Sequence, residues 1–319
     1  MTQNEDKSRF DNVLPITVAI STCNRFEDLG RCLASLSPLR YAAWSILVVD
    51  QSDDHRAEQL AALFRERSET PIRYVHMTVK GLSRARNVAI EEAGDRIIAF
   101  LDDDCTVPLD WLQSIASTYQ RHPTVSIVYG AVIPEQIDDD SWIPSHSVTH
   151  ERFYNTRCWD GPQQFGIGAS FTVWPSQIPQ PLLFDVHLGA GADFYGSDEH
   201  DYTLRAMDIG VKVIETPTIS VLHLGGRRIS TGQASTYFRR AYFGIGAMHM
   251  KHLRLGNRVA VGMILYSLNS TIRCIDLRAL VHRSDSSHIA RVMMYLLGLV
   301  ASFRLRVDRK TRNYVSRAW

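Results

Sequence analysis

Alternation between apolar, strand-like runs and helical segments constrains the fold of this chain more than any other feature. A strand-like run at 16–20 is followed by a helical pattern over 26–36, and a second run at 45–50 is followed by another helix near 55–66. Further strands are expected at 72–76, 96–101 and 125–129, with helices near 82–93 and 109–120. Such alternation is typical of a mostly parallel sheet with helices on both faces, so the sequence predicts an α/β fold.

The alternation ends after Gly130. Residues 134–165 are rich in proline, tryptophan, histidine and aspartate, which predicts an irregular segment. Beyond it we expect a strand at 168–174, a helix near 198–209 capped by Ser197, and short strands at 211–214 and 219–222. Residues 232–319 have the pattern of helices, so the sequence predicts a first domain over 1–230 and a basic, helical C-terminal region over 231–319.

The net charge of +1 conceals an uneven distribution of charge along the chain. Residues 1–226 carry 18 lysines and arginines against 31 aspartates and glutamates, whereas residues 227–319 carry 17 against 3. A basic region that interleaves arginines with apolar stretches suits an anionic membrane surface, and no recognisable nucleic-acid motif accompanies it. We therefore expect 231–319 to contact an anionic membrane and no nucleic acid. Packing of these helices on the body or on a second subunit is the alternative.

The number and spacing of the cysteines and the lack of long apolar runs indicate where in the cell the protein is located. The five cysteines are odd in number and lack the spacing of zinc ligands, which favours reduced thiols in a cytoplasmic protein. The first twelve residues have no apolar core of a secretory signal, and no run reaches the roughly 18 apolar residues of a spanning helix. We expect a cytoplasmic protein, peripheral on the inner face of the membrane if it meets a membrane.

Three adjacent carboxylates, Asp102, Asp103 and Asp104, follow the apolar strand at 96–101. The carboxyl end of such a strand is where ligands usually bind in an α/β sheet. Carboxylates this close repel one another, so a solvated turn or a cation must stabilise them. Mg²⁺ or Mn²⁺, with diphosphate oxygens completing its shell, would do so. The alternative is an acidic turn that opens the helix at 108–111.

Polar residues also follow the earlier strands, as Ser21 to Arg25 after the first and Asp50 to Asp54 after the second. Serine, asparagine and aspartate are common in turns and caps, so either segment alone could be turn chemistry. Two arginines, Arg84 and Arg86, lie at the opening of the next helix. Arginines beside the N–H groups of a helix start suit a bound anion, although a solvated helix start is the alternative.

In this order the segments resemble glycosyltransferase family 2, which has the GT-A nucleotide-sugar fold, a Rossmann-like sheet flanked by helices. The residues that carry the resemblance are Thr22-Cys23-Asn24-Arg25, Val48-Val49-Asp50-Gln51-Ser52, Gly81 with Ala85-Arg86-Asn87, Asp102-Asp103-Asp104, and Pro108-Leu109-Asp110-Trp111-Leu112. Each motif is weak alone, but five in register across about 110 residues are specific. Cys23 departs from the pattern, because family members often have an aromatic residue there.

The resemblance continues to about residue 226. The helix start Asp198-Glu199-His200-Asp201 is similar to the family segment that supplies the catalytic base, with the acidic pair in reversed order. The resemblance implies Glu199 as the base, with Asp198 as the alternative. His223 matches a position where many family members have a metal-ligating histidine.

The resemblance implies an inverting, metal-dependent transfer of a sugar from a nucleotide-diphosphate sugar to an acceptor hydroxyl. It implies Mn²⁺ or Mg²⁺ bound by Asp104, His223 and Asp102. The residues implied to contact the nucleotide sugar are Thr22, Asn24, Arg25, Asp50, Ser83, Arg86, Asp102 and Asp103. A UDP-sugar is the first expectation for the donor and a dTDP-sugar the next. The acceptor is expected to be a glycan or lipid-linked precursor of a surface polysaccharide, bound near Trp142, His146 and Trp159.

Two other functions are compatible with parts of the sequence. The segment from Asp102 to Thr106 also has the Asp-x-Asp-x-Thr pattern of haloacid-dehalogenase-like phosphatases, in which Asp102 would be the nucleophile and Asp104 the acid or base. In that family the motif follows the first strand, whereas here it follows the fourth. A non-catalytic nucleotide-sugar-binding protein is the second alternative, and the intact acidic pair at 198–199 argues against it.

Overall fold

A nine-stranded mixed sheet forms the centre of the part of the chain that the computed structural model describes, residues 13–135, 138–154, 165–273 and 286–317. The strands are β1 Ile16–Thr22, β2 Trp44–Asp50, β3 Ile72–His76, β4 Ile97–Asp102, β5 Cys105–Thr106, β6 Val125–Pro134, β7 Ser141–Trp142, β8 Arg152–Phe153, β9 Phe171–Val173, β10 Lys212–His223, β11 Arg227–Arg228, β12 Arg306–Val307 and β13 Tyr314–Val315. The helices are α1 Phe26–Leu36, α2 Arg56–Arg67, α3 Leu82–Glu92, α4 Trp111–Arg121, α5 Asp198–Asp208, α6 Gln233–Arg254, α7 Val259–Arg273 and α8 Ser286–Ala301.

The order of the strands in the sheet is β3-β2-β1-β4-β9-β6-β10-β5, with β8 paired to β10. The first four strands in this order are parallel to one another, and β6 is parallel to β10. Strand β9 is antiparallel to both of its neighbours and joins the two parallel groups. The α/β class with a mostly parallel sheet, predicted from the alternation of strands and helices, is confirmed.

Both faces of the sheet are buried, as the apolar character of the strands requires. In β4, Ile97, Ala99 and Leu101 pack into the core on one face, whereas Ile98 and Phe100 pack into the core on the other. Only the carboxyl end of this strand is polar. The sheet therefore presents its functional side chains at one edge rather than on a face.

The three C-terminal helices pack on the second of these cores. Ala247 and Met248 of α6 and Met263 of α7 are buried in it with residues of the sheet. Helices α6 and α8 lie close together at Gly298. A Cβ atom at this position would lie only 2.0 Å from the carbonyl oxygen of Phe243, so the approach requires glycine. Among the described helices, none combines the length and apolar composition that crossing a bilayer requires.

The structure differs from the sequence prediction in three local details. The expected strand at 168–174 begins with a 3₁₀ turn, and only Phe171–Val173 is extended. The two expected short strands at 211–214 and 219–222 are one strand, β10, with an irregularity between Thr216 and Ser220. Pro217 lies at this irregularity, where its missing N–H cannot join the ladder. Ser197 precedes α5 as expected, but its φ is 62° and its side chain makes no capping hydrogen bond.

Candidate active site

The carboxyl ends of β1, β2 and β4 meet at one edge of the sheet. Thr22 lies opposite Asp50 in the β1–β2 ladder, and Ser21 lies opposite Asp102 in the β1–β4 ladder. A cavity of about 400 Å³ opens at this edge, within the size range of small-ligand sites. The predicted site residues that line this catalytic cavity are Thr22, Arg25, Arg86, Asp102, Asp103, Asp104, Asp198, Glu199 and His223.

Three predicted contact residues lie behind or beside the catalytic cavity instead of lining it. Asp50 is fully buried and accepts hydrogen bonds from the Tyr74 hydroxyl, at 2.7 Å, and the Ser52 backbone N–H. Ser83 is also buried, and its hydroxyl donates to the Leu188 carbonyl oxygen at 2.6 Å. These two side chains hold the loops that form the cavity wall.

Asn24, the third, is exposed and has a left-handed backbone with a φ of 56°. Its side-chain amide donates to the carboxylate of Asp53 at 2.8 Å, and its own oxygen accepts the Asp53 backbone N–H at 2.9 Å. The pair ties the loop after β1 to the loop after β2. Asparagine tolerates this backbone conformation better than most residues, which explains its presence in the turn.

Arg25 neutralises part of the carboxylate triplet. Its guanidinium lies 2.8 Å from the carboxylate of Asp103 and 2.5 Å from that of Asp104. The Thr22 hydroxyl donates to the other oxygen of Asp103 at 2.8 Å. Burial nevertheless raises the pKa of Asp103 to about 7, against the opposing charge of Arg25. Asp103 and Asp104 are thus buried beside an arginine rather than part of a solvated turn, whereas the side chain of Asp102 is 33% exposed.

Asp104 and His223 form the centre of a candidate metal site. The imidazole Nε2 lies 3.7 Å from the Asp104 oxygen that does not face Arg25, which is too far for a hydrogen bond. Two ligand atoms that each lie about 2.1 Å from one ion can be up to about 4.2 Å apart, so this gap suits a shared divalent ion. A Cβ at Gly225 would lie 2.2 Å from Asp104, so glycine is needed beside the carboxylate.

The short strand β5 brings these two ligands together. Its Cys105 lies opposite His223 in an antiparallel ladder with β10, so the residue before Cys105 meets the end of β10. Cys105 itself is near enough to share an ion with Asp104 and His223. Burial and the neighbouring carboxylates raise the pKa of its thiol far above the usual range, which opposes its ionisation. The carboxylate of Asp104 and the imidazole of His223 are both ligand types for a divalent metal ion.

Arg86 links the triplet to helix α5. Its guanidinium is buried, donates to the carboxylate of Asp198 at 2.6 Å, and lies 3.8 Å from both Asp102 and Glu199. A Cβ at Gly168 would lie 2.4 Å from the same guanidinium. Asp198 is therefore occupied as the ion-pair partner of Arg86, whereas Glu199 Oε2 lies 3.8 Å from the arginine and Glu199 Oε1 accepts the Gly168 backbone N–H at 3.2 Å.

Asp198 and Glu199 differ in their electrostatic environment. Burial raises the pKa of Asp198 to about 7, although the charge of Arg86 opposes the rise. Burial acts on Glu199 too, but the charges of His200 and Arg86 and a backbone hydrogen bond outweigh it and lower the pKa of Glu199. The lowered pKa favours the ionised form of Glu199, which is the form that a base needs before it accepts a proton.

A second cavity of about 390 Å³ adjoins the first one. Trp142 and His146, two of the three residues expected near the acceptor, line this second cavity. Trp159, the third, lies outside the described residues. Trp142 packs against Tyr237 and Phe238 of α6, with ring centroids 5.1 and 4.6 Å apart.

Two further residues of the catalytic cavity escaped the sequence analysis. Arg227 and Tyr237 both line it, and the guanidinium of Arg227 lies 4.3 Å from the centre of the Tyr237 ring. The charge contrast at residue 227 was visible in the sequence, but it indicated a basic region rather than a particular side chain. Arg227 is placed in the cavity wall by the pairing of β11 with β7, in which it lies opposite Trp142. Strands of two residues have no periodic pattern that the sequence could reveal.

Comparison with known proteins identifies the domain. The family model described as "Glycosyl transferase family 2" matches residues 17–174. The glycosyltransferase AglE of Haloferax volcanii is 29% identical over 200 residues, which cover 61% of this chain and 62% of AglE. The UDP-Glc:alpha-D-GlcNAc-diphosphoundecaprenol beta-1,3-glucosyltransferase WfgD of Escherichia coli is 26% identical over 172 residues, 53% of this chain and 63% of WfgD. The chain thus spans less than two thirds of the length of either relative.

The fold is similar to that of a solved GT-A enzyme. The mannosyltransferase PcManGT from Pyrobaculum calidifontis superimposes with a TM-score of 0.56 at 15% identity, over 90% of this chain and 85% of that chain. The GT-A architecture predicted from the five motifs is thereby confirmed. The family match also favours the transferase over the phosphatase interpretation of the triplet.

Proposed function

The chain belongs to glycosyltransferase family 2 through residues 17–174, and on that premise we propose that it is an inverting, metal-dependent glycosyltransferase. It transfers a sugar from a nucleotide-diphosphate sugar to a hydroxyl group of the acceptor. One observation carries the proposal: a single cavity holds the carboxylate triplet on one side and the carboxylates of Asp198 and Glu199 on the other. A binding protein has no need of a carboxylate base.

The donor site is the part of the catalytic cavity next to β1, β2 and β4. Thr22, Asp102 and Asp103 face the nucleotide and its ribose there, with Arg25 beside them. A UDP-sugar is the proposed donor and a dTDP-sugar the next choice, and the name of the relative WfgD specifies UDP-glucose. PcManGT was solved with GDP-mannose, so the fold accepts other nucleotides.

The residues that would hold the divalent ion are Asp104 and His223, with Asp102 facing the same space. When bound, Mn²⁺ or Mg²⁺ would neutralise the charge that develops on the departing diphosphate. PcManGT was solved with Mn²⁺, which supports this choice of ion. Arg25 orients Asp103 and one oxygen of Asp104, so the other Asp104 oxygen remains directed at His223.

Glu199 is the proposed base. Its carboxylate takes the proton of the acceptor hydroxyl while the oxygen of that hydroxyl attacks the anomeric carbon. Attack from the side opposite the diphosphate inverts the anomeric carbon in one step, and no carboxylate nucleophile is needed. Asp198 holds Arg86 at 2.6 Å and so fixes the start of α5 against the floor of the cavity. In this assignment Asp198 is a positioning residue.

The acceptor is proposed to be a glycan or a lipid-linked precursor of a surface polysaccharide, because WfgD is named for a lipid diphosphate acceptor. The C-terminal helices suit contact with the inner face of an anionic membrane. Met293, Leu296, Leu297 and Val300 of α8 are exposed at helical spacing and form an apolar stripe. Basic residues exposed beyond the end of α8 are Arg304, Arg306, Arg309 and Lys310. An apolar stripe beside a basic cluster is typical of a helix that lies in the bilayer interface.

The test is hydrolysis of nucleotide sugars by the purified chain without an acceptor, in Mn²⁺, Mg²⁺ or EDTA. We expect release of one nucleoside diphosphate that depends on the metal and is lost in Asp104→Ala. Asp110→Ala, at an exposed site six residues later, is the matched control and should behave like the wild type. Release of phosphate from simple phosphate esters, with every nucleotide sugar intact, would contradict the proposal.

A further inference from the structure

The second cavity differs from the catalytic cavity in its chemistry. Aspartate, glutamate, lysine and arginine are absent from its lining within the described part of the chain. The lining consists of apolar and aromatic side chains with a few neutral polar groups, among them Trp142, Phe165, Phe238, Ile245, Met248 and Met263. The catalytic cavity, by contrast, is lined by nine aspartate, glutamate, lysine and arginine side chains of the described residues. The two spaces therefore suit different parts of a ligand.

The histidines of the second cavity are already engaged. His146 Nε2 lies 3.0 Å from the carboxylate of Glu215, and His200 Nε2 lies 2.9 Å from the Gly166 carbonyl oxygen. His249 bonds to a tyrosine hydroxyl, and burial lowers the pKa of His249 to about 3, so it is uncharged. A sugar ring in this space would lose its hydrogen bonds to water and gain few in return. Hydrocarbon suits the cavity better.

The two cavities adjoin each other beside the start of α5. Pro144, Ile167 and Tyr237 line both of them. Glu199 lines the catalytic cavity, and the next residue of α5, His200, lines the second. A ligand that fills the second cavity thus projects its end toward the base.

An unpaired cation lies at the junction of the cavities. The guanidinium of Arg227 lies 4.3 Å from the Tyr237 ring centre and 5.9 Å from that of Trp142. Its Nη1 is buried and has no hydrogen-bond partner. Within the described residues, no carboxylate lies at ion-pair distance from this side chain. A buried donor without a partner is costly, and a phosphate oxygen would satisfy it.

We propose that the second cavity binds the hydrocarbon chain of a lipid phosphate or lipid diphosphate acceptor, with Arg227 bound to its phosphate. The inference rests on the proposed transfer reaction and adds the place and chemistry of the acceptor. Helix α7 contributes Met263 and Tyr266 to the cavity, while Val261 and Leu265 of the same helix are exposed apolar residues. The chain enters from this apolar surface, and the sugar attached to the phosphate reaches Glu199.

The first experiment measures binding of farnesyl diphosphate, farnesol and inorganic diphosphate to the full chain by calorimetry, below the micelle concentration of the lipid. Farnesyl diphosphate combines the hydrocarbon and the phosphate groups that the two sites take. We expect it to bind at least tenfold more tightly than either of the other two. Equal affinity for farnesyl diphosphate and inorganic diphosphate would overturn the hydrocarbon site.

Variants assign the two contributions to their residues. Ala241→Trp fills the second cavity and should lower the affinity for farnesyl diphosphate at least tenfold. Ala62→Trp, on the exposed face of α2, should leave that affinity unchanged. Arg227→Gln should remove most of the preference for farnesyl diphosphate over farnesol. If Arg227→Gln instead raises the KM of the donor tenfold and keeps that preference, the guanidinium serves the donor diphosphate and its assignment here is wrong.

Photolabelling of the unmodified protein provides a readout that does not depend on folding of a variant. A benzophenone analogue of farnesyl diphosphate should label Met248 or Met263, which line the cavity. Labelling confined to the exposed stripe on α8 would overturn the proposal in favour of surface adsorption. Donor hydrolysis in the same preparation tests the transferase separately: hydrolysis without cavity labelling refutes the lipid site alone. Cavity labelling together with release of phosphate from simple esters, with every nucleotide sugar intact, refutes the transferase alone.

Discussion

The ammonium of Lys251 lies 2.7 Å from the carboxylate of Asp201, and both side chains are fully buried. The same ammonium lies 2.6 Å from Asp185, so one cation on α6 neutralises two carboxylates of the sheet domain. Asp201 lies two residues after Glu199 on α5. The C-terminal helices therefore contact the helix that carries the proposed base through a buried ionic group.

Replacement of Lys251 by methionine should strongly destabilise the fold. Removing Lys251 leaves buried Asp185 without its cation and leaves Asp201 paired with Arg205, and breaking a buried ion pair typically costs about 3–5 kcal/mol. Denaturant unfolding followed by circular dichroism measures the loss. Lys212→Met, at an exposed lysine whose ammonium donates to the Thr124 hydroxyl at 3.1 Å, is the matched control and should change stability by less than about 0.5 kcal/mol. Similar stability of the two variants would contradict this reading of the cluster.

The same cluster predicts how stability depends on pH. Burial opposes ionisation of Asp201, but the charges of Arg205 and Lys251 and the hydrogen bond from His252 outweigh it and hold its pKa far below the usual range. A depressed pKa contributes stability above the unfolded value of about 3.9, and this contribution is lost as the pH falls below it. We expect the free energy of unfolding to drop as the pH is lowered from about 5 to 2. For Asp201→Asn, the free energy of unfolding should fall less over this pH range than it does for the wild type. An equal fall would show that Asp201 is not the source of the pH dependence.

The two acidic residues at the start of α5 should respond differently to neutralisation. Glu199→Gln removes the proposed base and should lower the rate of sugar transfer about 100-fold or more while donor affinity stays within a few fold. Asp198→Asn replaces the partner of buried Arg86 and should lower the melting temperature as well as the rate. Nucleoside diphosphate release with an acceptor, measured beside thermal unfolding, separates the two. If Asp198→Asn has a normal melting temperature but no sugar-transfer activity, Asp198 rather than Glu199 is the base.

The metal assignment predicts a change in metal affinity rather than in fold. Asp104→Asn should raise the Mn²⁺ concentration for half-maximal activity at least tenfold, because one anionic ligand becomes a neutral one. Titration calorimetry of Mn²⁺ in the presence of the nucleoside diphosphate tests the same change without turnover. Asp110→Asn, on the exposed turn before α4, serves as the control. Equal Mn²⁺ affinity of both variants would remove Asp104 from the ligand set.

The apolar stripe on α8 should mediate binding to anionic vesicles. Leu296→Glu places a negative charge in the stripe and should reduce cosedimentation with phosphatidylglycerol vesicles several-fold. Leu63→Glu on α2 is a close control, since both leucines are 44% exposed. Binding should also weaken in high salt, because the basic residues after α8 act through screened charge. Equal sedimentation of both variants would show that the stripe does not face the bilayer.

The parts of the fold that follow from local pattern could be predicted, and the parts set by distant pairing could not. Strand β4 is apolar throughout and ends in Asp102, so the strand and its polar end were visible in the sequence. The pairing of Cys105 with His223 joins segments more than a hundred residues apart through a two-residue strand. No periodicity marks such a strand, so the meeting of Asp104 and His223 came from the family resemblance alone.

The roles of individual polar residues were harder to predict than their location at strand ends. Asp50 lies at the expected edge, yet its carboxylate is occupied by Tyr74 and Ser52. Whether a carboxylate faces the cavity or the interior depends on which donors the neighbouring strand places beside it. Arg227, in contrast, lines the cavity although no sequence motif indicated it. Its position depends on aromatic residues of β7 and α6, and a single sequence does not show that these lie beside it.

The contact of Arg25 with Asp103 and Asp104 has a consequence for the resting protein. Because a side chain of the chain itself supplies positive charge to the triplet, folding does not have to wait for a divalent ion. Chelation should leave the molecule folded and idle, and the returning ion should restore it without synthesis of new protein. Under the proposed dependence on a divalent ion, a cell short of that ion would keep a reserve of dormant enzyme, and sugar transfer would follow the supply of the ion rather than the supply of the polypeptide.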